Sequence, residues 1–523
     1  MLQKKHIFNL LCLILNLNHH TSWSRAMEKK ENIVMFPFMA QGHIIPFLAL
    51  ALEIQKKRGC TITFVNTPLN IKKLRSSLPP NTSIRLVEIP FNSSDHGLPP
   101  NTENTNALPY PLIFRFIEAS LSLKLPFRKL ISELIAEQNG HLPLCLVVDM
   151  FFGWSVEIAH EFGVSHAIFV GGGGFGMACY YSLWTNMPHL GADSDEFTLP
   201  DFPEASKIHV TQLPENLRLA DGNDPFAVFL KKVFPEWLNS DGLLVNTVGE
   251  LDKIGLMYFR RKIGGAVWPV GPVLLSMENH AGAGKVPGIT PDPCNKWLDS
   301  KPLNSVLYIC FGSQNTISES QMMQLATALE VSGKYFIWVV RPPTGFDINS
   351  EFKAEEWLPQ GFEQRIQDQK RGLLVHKWAP QVEILSHKSI SAFLSHCGWN
   401  SVLEALSHGV PIIGWPMAAD QFSNVVLLEK EVGVCVEVAR GPRCEVKHED
   451  IVKKIELVMN DTEKGKEMRR KAHEVRDIIK DAIRDEEGFK GSSMKAMDEF
   501  FSAALSRREK TKLEQENKIM PLT

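Results

Sequence analysis

The sequence predicts an α/β protein with two parallel sheets, and three observations carry this. Short β-branched runs alternate with amphipathic helical stretches, the runs fall into two sets, and a Gly- and Pro-rich stretch without periodicity separates the sets. Alternation of this kind builds parallel sheets covered by helices on both faces. In the N-terminal half the expected strands are "NIVMFPF", "TITFVN", "IRLVEIP", "LCLVVD", "HAIFV" and "GLLVNT". In the C-terminal half they are "SVLYICF", "YFIWVV", "GLLVH", "SAFLSH", "PIIGWP" and "GVCVEV". The separating stretch, "SMENHAGAGKVPGITPDP" from Ser276 to Pro293, reads as an interdomain linker. Ligands of such sheets bind beyond the carboxyl ends of strands, so function is expected in the cleft between the two.

Size and composition narrow the choice. A chain of 523 residues has room for about two to four domains and a cleft. The net charge of −3 shows no basic bias, and the densest charge run, "SRREKTKLEQENK", has mixed sign and reads as a solvated tail. Both argue against a nucleic-acid surface. The nine cysteines never form C-x-x-C and are odd in number, pointing to a reducing compartment and away from a zinc site.

The N-terminal stretch "MLQKKHIFNLLCLILNLNHHTSWSRA" has a basic start, an apolar run from Ile7 to Leu17 and small residues at Ser22 and Ser24, as a signal peptide has. The run is too short to span a bilayer. Asn9 and Asn16 interrupt it, and Met27, just before the first strand, offers a second start. A cytoplasmic product is therefore expected, with secretory entry the minority reading. The sequons at Asn81, Asn92 and Asn460 do not decide it, because such tripeptides arise often by chance. No apolar stretch near the C-terminus is long enough for a membrane anchor.

Three motifs invite a function and are set aside. Gly171, Gly173 and Gly176 in "AIFVGGGGFGMACYYSLW" satisfy G-x-G-x-x-G. A dinucleotide fingerprint, however, follows the first strand of its unit and is answered about twenty residues later by an acid ending a strand. Here the glycines follow roughly the fifth strand, and Asp193 and Asp195 downstream lie in a proline-rich loop. The glycines read instead as a tight strand-to-helix turn beside the cleft. "GAGK" at 282–285 lacks the first glycine and the Ser or Thr of a phosphate loop, with Asn279 and Val286 in their places. "DSD" at 193–195 resembles a metal-binding D-x-D but reads as a solvated turn.

The specific signal is "WAPQVEILSHKSISAFLSHCGWNSVLEALSHGVPIIGWPMAADQ", beginning at Trp378. It holds a strand, the tight turn "CGW" and a helix with Asn400 and Ser401 at its N-terminus, where free N–H groups and the positive dipole end suit a diphosphate. Glu404 lies one turn on, on the same face, where its carboxylate can accept from ribose hydroxyls. His396 at the strand end points to the same space. Trp378, with Ala379 beside it, offers a flat surface for a base. Asp420 and Gln421 follow another strand and add polar groups for a sugar.

These residues resemble the signature box of the plant secondary-product UDP-glycosyltransferases, and the likeness runs from about Asn32 to about Ser506. It implies a GT-B fold of two facing Rossmann-like domains. Residues 27–275 would form the acceptor domain, 276–293 the linker and 294–480 the UDP-sugar domain. Residues 1–26 would be an extension, and 481–523 a C-terminal helix and solvated tail. The resemblance implies that Trp378 stacks on uracil, that Gln381 and Glu404 hold ribose, and that Ser313, His396, Asn400 and Ser401 hold phosphates. Trp399, Asp420 and Gln421 would face the sugar. His43, at the turn after the first strand, matches the family's catalytic base, and Asp149, ending "LCLVVD", its carboxylate partner.

The expected activity is inverting transfer of glucose from UDP-glucose to a hydroxyl of a small phenolic or flavonoid metabolite. No metal and no cofactor beyond the donor is expected, nor any membrane anchor, and the protein is expected to be a monomer. A noncatalytic UDP-sugar-binding protein is the alternative. Phe38, Phe151, Phe152, Trp154, Phe175 and Trp184 are the candidate acceptor surface.

Overall fold

The computed structural model describes residues 30–519, apart from 77, 80–81, 264–265 and 275–287. The N-terminal extension, most of the expected linker with its "GAGK", and Asn81 lie outside the described residues.

Two parallel sheets form the frame. The first comprises β1 (Asn32–Phe36), β2 (Thr61–Asn66), β3 (Ile84–Glu88), β4 (Cys145–Asp149) and β5 (Ser165–Val170). After a two-stranded hairpin, β6 (Glu196–Phe197) with β7 (Ile208–His209), it continues in β8 (Gly242–Val245) and β9 (Val267–Pro269). Its order is β3-β2-β1-β4-β5-β8-β9. The second comprises β10 (Val306–Cys310), β11 (Tyr335–Val340), β12 (Gly372–His376), β13 (Ile390–Ser395), β14 (Ile412–Gly414) and β15 (Cys435–Glu437), in the order β12-β11-β10-β13-β14-β15. Every residue of β1, β4, β10 and β13 is buried, the pattern of strands covered on both faces. β9 was not expected, its "VWP" being broken by the proline, nor was β6, which falls in the stretch read as a proline-rich loop without a strand.

In each sheet the order reverses once, between β1 and β4 and between β10 and β13. Adjacent strands there send their connections to opposite faces, and the gap between those connections is where doubly wound sheets bind ligands. His43 and Asp149 follow one reversal, Ser313 and His396 the other.

The C-terminal helix Ser492–Ile519 leaves the second half and packs on the first. Met497, Phe500, Phe501 and Ala504 are buried in the core that holds Ile33 and Ile62, and Phe500 meets Trp268 at 5.4 Å. Within the run expected to be a solvated tail, Arg508 donates two hydrogen bonds to the Glu31 carboxylate and Arg507 reaches Asp241 at 2.7 Å. Among the described residues no helix is long and apolar enough to cross a membrane.

The glycine run makes the strand-to-helix turn beside the cleft that was expected of it, from β5 to the helix Gly174–Asn186. Gly171, Gly172, Gly173, Gly174 and Gly176 all have ordinary negative φ or extended backbone and are absent from the left-handed positions. What they provide is close approach. A Cβ on Gly173 would come within 2.9 Å of the Trp399 ring, and one on Gly176 within 2.1 Å of Asn424 Oδ1. The helix Gly174–Asn186 thus lies directly against the second half.

Candidate active site

The helix Gln41–Arg58 begins four residues after β1 ends, which places His43 in its first turn at the mouth of the cleft. Asp149 closes the neighbouring β4 and is almost wholly buried, at 1% exposure. The two meet: His43 Nδ1 lies 2.9 Å from Asp149 Oδ2, while Oδ1 accepts the Phe151 N–H at 3.1 Å. A buried carboxylate opposite Nδ1 selects the tautomer that donates there, leaving the Nε2 lone pair for the cleft. Burial pulls the imidazolium down, but the Asp149 charge and hydrogen bond, helped by Asp420 across the cleft, hold His43 above its ordinary value. Phe38 and Phe151 flank the ring at 5.4 and 5.5 Å.

The second half faces it with a helix terminus. Helix Trp399–Ser407 is capped by Gly398, whose missing side chain leaves the first-turn N–H groups of Trp399, Asn400 and Ser401 without a capping acceptor. His396 sits between Gly312 and Gly398 so closely that a Cβ on either would come within 2.6 and 2.5 Å of Nε2. Burial drives its pKa to about 4, so the ring is neutral at pH 7 and acts as a hydrogen-bond donor. Gln381 donates to Ser401 Oγ at 2.9 Å and to Glu404 Oε2 at 2.6 Å, and accepts from Tyr308 at 3.2 Å. That network fixes the carboxylate's orientation. Asp420, raised by burial against the bond from Asn424, stands in the same wall.

The cleft has a volume of about 400 Å³. It is lined by His43, Ser313, Trp378, Ala379, Gln381, His396, Trp399, Asn400, Ser401, Glu404, Asp420 and Gln421, with Asp149 behind His43. Two expectations need correction. Gln421 Oε1 accepts the N–H groups of Met417 and Ala418 at 2.9 and 3.0 Å, so its amide offers a sugar donors only, not both donor and acceptor. Of the six aromatics proposed for the acceptor, Phe38 and Phe151 line the cleft, whereas Phe152, Trp154, Phe175 and Trp184 are core. Ile113, Phe114, Ile117, Met150, Met177, Tyr180 and Phe226 take their place. Trp399 lines the cleft, yet its indole N–H donates to the Asn246 carbonyl at 2.6 Å and its ring rests on Gly173, so it also wedges the halves together. Asn400 spans the same gap, donating to the Gly42 carbonyl at 3.2 Å. Asp193 and Asp195 are exposed and outside the cleft.

Two Rossmann-like sheets facing across such a cleft, with the nucleotide-type helix terminus in the second, define a GT-B glycosyltransferase. The sequence profile described as "UDP-glucoronosyl and UDP-glucosyl transferase" matches residues 247–475. UDP-glycosyltransferase 92A1 of Arabidopsis thaliana is 52% identical over 491 residues, covering 93% of this chain and 99% of its own. Crocetin glucosyltransferase 3 of Crocus sativus is 42% identical over 452 residues, covering 83% and 92%. The Glycyrrhiza uralensis enzyme solved with glycyrrhetinic acid 3-O-monoglucuronide superposes with a TM-score of 0.78 at 30% identity, covering 94% of this chain and 98% of its own. The Phytolacca americana enzyme solved with UDP-2fluoro-glucose and pterostilbene gives 0.72 at 27%, covering 91% and 99%. The chain belongs to the plant UDP-glycosyltransferase family and is an enzyme of that class.

Proposed function

We propose that the enzyme transfers glucose from UDP-glucose to a hydroxyl of a small, uncharged phenolic or flavonoid acceptor, with inversion. The observation that carries this is the His43–Asp149 pair at 2.9 Å in a cleft that the N-terminus of helix Trp399–Ser407 also lines. His43 Nε2 takes the proton from the acceptor hydroxyl as the oxygen attacks the anomeric carbon, and Asp149 stabilises the imidazolium. The C–O bond to UDP breaks on the opposite face, so an α-linked donor yields a β-glucoside. Trp378 supports the uracil and Glu404 with Gln381 the ribose. Charge growing on the diphosphate is met by the first-turn N–H groups at Trp399–Ser401, by Ser313 and by neutral His396, and turnover needs no divalent cation.

Glucose is favoured by the Gln421 amide donors beside the Asp420 carboxylate, a pair that can satisfy neighbouring hydroxyls of one sugar. Relatives include the UDP-glucose flavonoid 3-O-glucosyltransferase 7 of Fragaria ananassa. The acceptor wall supports a neutral aromatic molecule: among the described residues, the N-terminal half gives the cleft no Asp, Glu, Lys or Arg. A buried carboxylate acceptor would find no counter-ion there. The eight described cysteines are free thiols, in keeping with a cytoplasmic setting. A binding protein would have no use for the paired His43 and Asp149. Incubating the pure protein with UDP-glucose and a panel of phenols, alcohols and carboxylic acids, and following UDP release and product mass, tests the proposal. Release of UDP with a β-glucoside of a phenol supports it; binding of UDP without transfer to any acceptor contradicts it.

A further inference from the structure

A half-buried cation in a cleft wall favours an anion beside it, and Arg341 is held there without a carboxylate partner. Arg341 follows β11 and lines the cleft beside Ser313 and Trp378. Its Nη1 donates to the Ser313 carbonyl at 2.8 Å and its Nη2 to the Lys377 carbonyl at 3.1 Å. Nε is sealed from water with no partner. Among the described residues, no carboxylate lies within ion-pair distance of the guanidinium.

One of the two carbonyls it holds belongs to a strained residue, Lys377, and the other follows a glycine in the left-handed region. Gly312, at φ +80°, precedes Ser313, and Lys377, at φ +70°, precedes Trp378. A non-glycine residue in the left-handed region persists only where its surroundings hold it. Arg341 therefore ties the loop expected at the phosphates to the platform expected under the base. Carbonyls, being neutral, leave its charge uncompensated.

We propose that Arg341 is a donor-positioning residue whose guanidinium, fixed by the Ser313 and Lys377 carbonyls and facing no carboxylate, is the counter-charge of the UDP diphosphate. The inference rests on the donor site proposed above. It separates a charge role from a structural one, because uridine shares the base and ribose with UDP but carries no phosphate.

Titration calorimetry with UDP and with uridine, on wild type, Arg341→Met and Arg341→Lys, tests it. Arg341→Met is expected to weaken UDP about tenfold or more while uridine stays within about twofold, and Arg341→Lys to recover most of the UDP affinity. Added salt should narrow the wild-type preference for UDP over uridine and change that of Arg341→Met less. Should Arg341→Met fail to fold, Arg341→Gln, which drops the charge and keeps a donor, carries the same comparison. Equal losses for UDP and uridine, or no loss for either, overturn the proposal while leaving the donor site in place. A wild type that binds neither ligand overturns the donor site and this inference with it.

Discussion

The His43–Asp149 contact fixes a sign as well as a geometry. As the proposed base, His43 would act only when neutral, so kcat/KM is expected to fall as pH drops through the His43 pKa, which Asp149 helps to raise. Asp149→Asn keeps the size and removes that charge. Its acid limb should therefore move to lower pH, while the plateau falls by about two to four orders of magnitude. A pH–rate profile checks both, and a limb that moves upward contradicts the assignment. At Gln421 the donors that remain after its oxygen is bound to the backbone should favour UDP-glucose over UDP-galactose in competing assays. Equal or better transfer of galactose would remove Gln421 from that role. Residues at strand ends were legible because a parallel sheet delivers them to one edge whatever the details of packing. Whether Phe152 or Phe151 faces the cleft was not, since adjacent residues point to opposite sides and sequence does not say which side is core. The spent oxygen of Gln421 was hidden for a similar reason: its partners are backbone N–H groups of a loop. Arg341 had a strand-end signal, following "YFIWVV", that went unread.

At the level of elements, the glycine run shows how a motif can be right in letters and different in use. Its spacing fits a phosphate-binding turn, yet its space is filled by Trp399 and Asn424 from the other half. Asn424 is fully buried and donates to the Cys397 carbonyl at 3.1 Å and to Asp420 at 3.0 Å, so it has little freedom to retreat. Gly176→Ala should displace it, at a cost of about 1–3 kcal/mol of overpacking, and disturb the wall holding Asp420 and Gln421. The expected result is a fold that survives with a lowered melting temperature and turnover reduced at least tenfold, roughly, read by thermal unfolding and initial rates. Wild-type rates in this variant would show that the helix contact does not position the sugar wall. Strand assignments succeeded for the long apolar runs and failed at β9, which pairs only with β8, and at the two-residue β6 and β7, the former inside the stretch read as a strandless loop.

For the whole molecule, the proposed mechanism has each half bring what the other lacks: a base and an apolar wall from the first, a helix terminus and a base platform from the second. The returning helix Ser492–Ile519, buried on the first sheet, was legible as a helix but its destination was not, because the apolar face of a helix does not name its partner. Because the proposed mechanism meets the diphosphate with protein donors alone, it predicts that activity survives excess EDTA, and loss restored by magnesium or manganese would contradict it. The central claim, that His43 does chemistry at a site whose donor is held from the opposite half, is tested by measuring UDP affinity by calorimetry and initial rates together on His43→Ala and Ser401→Ala. The account predicts a severe loss of turnover with near-wild-type UDP affinity for His43→Ala, and weakened UDP binding for Ser401→Ala. Near-normal turnover in a folded His43→Ala protein would contradict it.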